Sequence, residues 1–239
     1  MSGRFRRDPC LDHVARWIAF RGGALIPDRE MAETFLQRLD PRARRFSFRT
    51  FSDTEYTLAA ARDPLERAMH GSLDDCWPEL VRLSRAGAAV SVTVNETNGQ
   101  GRTVGDIVRV RALFLDDDGG GDVGRFSLSP HLMVRTSASH CHYYWFVDGL
   151  SLASFEACQR QLAGRYGGDM RVCALNQSMQ LPGLWRRKRV TQPRLPRSVP
   201  LSDAANYPVE QAVAALLPAL VPCASGAALI GPGREDAAG

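Results

Sequence analysis

The sequence predicts an α+β fold, a largely antiparallel sheet with flanking helices, from three observations. Apolar residues recur with period two in some segments and at helical spacing in others. The two kinds of segment alternate without the regular βαβ cadence of a nucleotide-binding parallel sheet. Two apolar runs, 132–136 and 142–147, flank Ser137-Ala138-Ser139-His140 in the manner of a hairpin, the connection that joins antiparallel strands.

The elements follow in order. Glu30 to Leu39 places Met31, Phe35, Leu36 and Leu39 at helical spacing and ends at Asp40-Pro41, which stops a helix. Arg45 to Phe51 alternates as a strand. Leu73 to Arg85, opened by Ser72 and closed by Gly87, returns to helical spacing. Val90 to Val94 is a second strand, Asn95 to Gly105 a polar loop, and Ile107 to Leu115 a third strand that runs into Asp116-Asp117-Asp118 and Gly119-Gly120-Gly121. After the hairpin, Leu152 to Tyr166 is an amphipathic helix with Phe155, Cys158, Gln159 and Leu162 on one side, stopped by Gly167-Gly168. Beyond Pro193 the composition shifts to Pro, Ala and Ser. There Val209 to Leu220 reads as a peripheral helix and Ala224 to Gly239 as a disordered end or a linker.

At 239 residues and 44% hydrophobic content the chain can bury an ordinary globular core, as one large domain or two small ones. No segment approaches the roughly 18 consecutive apolar residues of a membrane span, and the N-terminal residues lack the apolar run of a signal peptide, so a cytoplasmic protein without a membrane partner is expected. The six cysteines contain no C-x-x-C pair, which argues against a zinc ribbon or a disulfide framework. No Walker A loop occurs, and Gly119-Gly120-Gly121 is not a phosphate loop, because no helix with a Lys-Ser or Lys-Thr start follows it. The net charge is +4, but Arg186-Arg187-Lys188-Arg189, followed by Arg194 and Arg197, concentrates basic charge locally. Such a run is either a polyanion site or a solvated face.

The acidic triplet carries the most chemistry. Side chains alternate along a strand, so Asp116 and Asp118 share a face. Two anionic carboxylates so placed repel unless a cation lies between them, and hard oxygen donors suit magnesium or manganese. An acidic turn closing a strand is the alternative. A two-metal centre also needs a carboxylate from a distant segment, and Asp169, after Gly167-Gly168, is positioned to be it. His140 and His142 lie between the two in sequence.

These segments resemble the RepB-like DNA primase domain of plasmid and mobile-element replication proteins, within the archaeo-eukaryotic primase superfamily. The resemblance runs over roughly residues 30 to 190. It is carried by Val92 to Gly99, Val108 to Gly119, Arg135-Thr136-Ser137 through His142-Tyr143-Tyr144-Trp145, and Tyr166-Gly167-Gly168-Asp169 leading to Met179-Gln180-Leu181-Pro182-Gly183. It implies a primase core of RRM-like type within 29–200, an N-terminal arm at 1–28, and a peripheral helix and tail at 201–239.

It implies primer synthesis from nucleoside triphosphates on single-stranded DNA, with Mg2+ or Mn2+ held by Asp116, Asp118 and Asp169. His142, with His140 as the alternative, and Arg187 and Lys188 would grip the nucleotide's phosphates. Arg186, Arg189, Tyr144 and Trp185 would contact DNA, with Tyr143 a further stacking candidate, and a replicative helicase would act in trans. The chain departs from such domains at Ala174, where an aspartate is common, at Gln180, where arginine is common before Leu-Pro-Gly, and at Ala138-Ser139, where a glycine is usual. Those departures leave a DNA-binding module without turnover as a second reading, and a nuclease using the same acids as a third.

Overall fold

The structure is a computed structural model that describes residues 25–53, 63–119, 121–188 and 193–217. The chain divides into two compact units, one formed by residues up to Thr93 with Ser178–Arg197, the other by Val94–Gln177 with the residues from Ser198 onward. Among the described residues no helix is long and apolar enough to cross a membrane. The expected N-terminal arm lies almost wholly outside the described residues, as does the expected tail.

Among the described residues the first unit opens with α1 (Arg29–Leu39), whose N-cap Asp28 accepts a hydrogen bond from the Met31 N–H at 3.0 Å. Its buried face is Ala32, Phe35, Leu36 and Leu39. A four-stranded antiparallel sheet follows in the order β2 (Arg67–Gly71), β1 (Phe46–Ser52), β3 (Ala88–Thr93), β9 (Ser178–Gln180). The second helix, α2 (Leu73–Arg85), begins with a capping box between Ser72 and Asp75, a device that stabilises a helix by about 1 kcal/mol. It ends before Gly87, whose φ of 105° few other residues adopt. Strand β2 is absent from the sequence reading because Arg-Ala-Met-His-Gly has no apolar alternation, as expected of an edge strand with an exposed, polar pattern.

The second unit centres on β8 (Cys141–Asp148), flanked by β6 (Ala112–Asp117) and β7 (Leu132–Arg135), both antiparallel to it. β10 (Arg197–Pro200) extends the sheet beyond β7, and β11 (Tyr207–Pro208) joins β8 in parallel. The hairpin closes through Thr136 and His140, whose backbones pair at 3.0 Å. Helix α3 (Leu152–Tyr166) packs Phe155, Cys158 and Leu162 inward, with the Phe155 ring 5.9 Å from that of Phe114 on β6. Burying each such side chain contributes about 1.5–3 kcal/mol. The last helix among the described residues, α4 (Val209–Leu216), is no loose appendage, since Ala212, Val213 and Leu216 are all fully buried.

One predicted strand is two. Residues 107–115 were expected to run unbroken, but β5 (Ile107–Arg109) pairs with β4 (Glu96–Thr97), and only after Val110-Arg111 does β6 take up β8. The break is fixed by Asn95, a fully buried side chain that accepts from the Arg111 N–H at 3.1 Å and donates to the Leu175 carbonyl at 2.8 Å. Change of partner leaves no trace in an apolar run.

Candidate active site

Among the described residues strand β6 has β8 on one side and no strand on the other. There the Gln159 side chain from α3 takes the place of a neighbouring peptide: the Phe114 N–H donates to its Oε1 at 3.2 Å, and its Nε2 donates to the Phe114 carbonyl. Two residues further along the same edge, the Asp169 N–H donates to the Asp116 carbonyl at 3.0 Å. The sequence brings Asp169 there by two glycines. Gly167 ends α3 in the left-handed conformation, with φ of 70°, and Gly168 passes so close to β6 that a β-carbon would sit 3.1 Å from the Asp116 carbonyl oxygen and 3.0 Å from Leu115 Cγ.

The register of β6 against β8 sets the rest. Asp116 lies opposite His142, and Asp117 opposite Cys141. His142 Nε2 is 3.5 Å from Asp116 Oδ1, and His140 Nε2 is 3.2 Å from Asp118 Oδ1. Both outer acids of the triplet therefore stand on the histidine side, as period two requires. The hydroxyls of Ser137 and Ser139 hydrogen-bond His140 Nδ1 at 2.7 and 2.9 Å, which leaves Nε2 to face Asp118. His142 and Asp116 are partly to fully buried, whereas Asp118 and His140 are exposed.

The middle acid goes the other way. Asp117 is 1% exposed, pairs with Arg125 at 2.8 Å and accepts the Gly119 N–H at 2.9 Å, so it anchors the loop that leaves β6. Tyr143 lies on that same face, where burial pushes its hydroxyl up to about 12. Tyr144, on the histidine face, is fully buried, and burial first, then the nearby Asp116, holds its hydroxyl well above the usual range. Neither ring presents a face to a base, which corrects the expectation that they stack on DNA.

Asp169 carries a partner that the sequence reading missed. Arg171 grips its carboxylate with Nε at 3.1 and 3.2 Å and Nη2 at 2.9 Å, while the Arg171 N–H donates to Oδ1 at 2.9 Å. The Arg171 side chain, then its backbone N–H, holds the Asp169 carboxyl below the usual carboxylate range. An Asp-x-Arg spacing immediately after a helix stop is the signal that was available. Among the described residues no three acidic, histidine or cysteine side chains are gathered closely enough to hold an ion; Asp116, Asp118 and Asp169 stand beside His142, His140 and Arg171 respectively. The donors nonetheless fit a hard divalent cation in kind: three carboxylates on two adjoining backbone segments.

The basic residues expected at phosphates belong to the first unit. Arg187 is 3% exposed, and its Nη1 donates to the Arg85 carbonyl at 2.7 Å, at the C-terminal end of α2 where a cation is favoured. Burial lowers its pKa to about 10. Its guanidinium is therefore interior, contrary to the picture of a solvent-facing cluster. Arg186 forms a two-point pair with Asp53, Trp185 is half-buried with Nε1 donating to the Ile26 carbonyl at 2.9 Å, and Lys188 is exposed. Arg189 lies outside the described residues.

Residues 75–205, more than half of the chain, match the family described as RepB DNA-primase N-terminal domain. No curated protein matches in sequence. Among solved structures, the AEP domain of the primase-polymerase of cyanophage S-2L superimposes with a TM-score of 0.64 at 17% identity, over 80% of this chain and 98% of that one. The primase RepB′ superimposes with a TM-score of 0.55 at 16% identity over 74% of this chain. This chain spans 58% of the length of that second relative. At such identities the likeness speaks for the fold alone.

Proposed function

The chain belongs to the RepB DNA-primase N-terminal domain family, and from that premise we propose that it builds primers from nucleoside triphosphates on a single-stranded DNA template, at the end of β6. The observation that carries this reading is the backbone bond from Asp169 to Asp116. It joins two distant acidic segments at the strand end where Asp116 and Asp118 already face two histidines.

Asp116, Asp118 and Asp169 are the residues that would hold Mg2+ or Mn2+. Such an ion, when bound, lowers the pKa of an attacking 3′-hydroxyl and spreads the charge on the α-phosphate. His142 and His140 supply N–H donors directed across the sheet at the same strand end, suited to orienting a triphosphate rather than to proton transfer. Lys188 is the exposed basic residue of the 186–188 segment, a side chain suited to a phosphate of the template.

A second reading, a DNA-binding replication module without turnover, is favoured by one observation: both oxygens of Asp169 are already taken by Arg171. Primer extension on single-stranded DNA with manganese separates the two. The primase reading expects product from the wild-type protein and none from Asp118→Ala at equal stability. Activity retained by Asp118→Ala refutes the site, and metal-independent nucleotide binding without product favours the module.

A further inference from the structure

Arg171 stands out because, among the described residues, Asp169 alone holds its side chain. Its side chain is 90% exposed, and among the described residues every hydrogen bond of its guanidinium ends on that carboxylate. It also lies within the field of Asp118 and Asp116, which add to the upward shift that Asp169 produces. One exposed cation thus serves an acid whose two neighbours share the same strand end. We propose that Arg171 is a tethered counter-ion of this acidic cluster: it neutralises Asp169 while no divalent ion is bound, and an ion enters only as the guanidinium leaves.

The geometry separates holding from aiming. The Arg171 N–H and the Asp169 N–H are backbone donors, so the carboxylate stays hooked at Oδ1 and the segment stays on β6 when the guanidinium swings away. The side chain therefore contributes charge rather than placement. A cation that neutralises without positioning opposes metal loading, whereas one that positions the ligand favours it. The two roles predict opposite signs.

The inference rests on the reading that these acids take a divalent ion, and the test tells the two failures apart. Mn2+ is titrated into the whole protein without nucleotide, and free Mn2+ is followed by its EPR signal. Arg171→Gln is expected to bind Mn2+ roughly two- to fivefold more tightly than the wild type, the range set by an exposed ion pair. The gap should close at high salt, where exposed charges are screened. Arg171→Lys, which keeps the charge, should stay near the wild type. Equal or weaker binding by Arg171→Gln overturns the proposal and makes Arg171 a positioning residue or a bystander. Equal binding by wild type and Asp169→Asn, or no binding by any variant, instead overturns the metal site itself and the inference with it.

Discussion

Gly168→Ala puts a methyl group where the loop after α3 crosses β6. A β-carbon there would lie 3.0 Å from Leu115 Cγ and 3.1 Å from the Asp116 carbonyl oxygen, and would press harder still on Leu115 Cδ1, where ordinary contact begins at 3.4 Å. Leu115 is 1% exposed and cannot turn aside, and the carbonyl belongs to a paired strand. The loop must give instead. Forcing an extra methyl group into a filled site costs about 1–3 kcal/mol, and here the movement lengthens the bond from Asp169 to Asp116. A catalytic group displaced by about 1 Å costs on the order of 100-fold in rate.

Gly164→Ala is the control. That position on α3 is exposed with no atom within 4 Å of the new methyl group, so the substitution should stabilise by about 0.5–1 kcal/mol. Urea unfolding of both variants, with Mn2+ binding and primer extension beside it, gives the comparison. A Gly168→Ala protein within about 0.5 kcal/mol of the wild type, with full Mn2+ affinity, would refute the close-approach argument.

Gln159→Leu should cost about 2–5 kcal/mol in urea unfolding, because it leaves a buried N–H and a buried carbonyl of Phe114 without partners. Gln159→Glu should be no better, since a carboxylate cannot donate to that carbonyl. Arg187→Ala should lower stability by about 2–4 kcal/mol and leave the salt slope of single-stranded DNA binding intact. Lys188→Ala should do the reverse, leaving stability unchanged and reducing the log–log slope by about 0.7. Burial raises the Asp63 carboxyl, but hydrogen bonds from the Ser52 hydroxyl and the Ser52 and Leu65 N–H groups outweigh it, so the net shift is below the ordinary 3.8. The unfolded chain then binds that proton more tightly than the folded one. Asp63 therefore stabilises above about pH 4 and loses its contribution as pH falls through the lower folded value. Asp63→Asn should flatten this acid limb in unfolding measured against pH.

What could be read in the sequence were features with local causes. Ser72 and Gly87 bound α2 at both ends, and Gly167 stops α3, because capping chemistry is settled within a few residues. The acids on β6 and the histidines across the hairpin were legible from period two and from the ordered motifs of the family. Partnership was not. The break at Val110-Arg111 depends on Asn95, the burial of Arg187 depends on the end of α2, and both partners are remote in sequence. Gln159 was placed on the inner face of its helix, but nothing in a helical pattern says that a polar residue there faces a strand edge. Arg171 escaped notice because an arginine on a loop is ordinary until its carboxylate is known to matter.

The clamp on Phe114 has a consequence for a run of identical residues. Three aspartates in a row are a poor ruler: shifting β6 by one place would still present an acid to His142, with little change in charge. A side-chain amide, however, can grip only a residue whose N–H and C=O both point to the same edge, and along a strand such residues come at every second position. Gln159 therefore forbids the single-step slip that the composition permits. The next grip it would allow lies two residues away, a register in which only one of the two outer aspartates would still stand opposite a histidine. Which aspartate meets which histidine is thus fixed by a residue that touches neither.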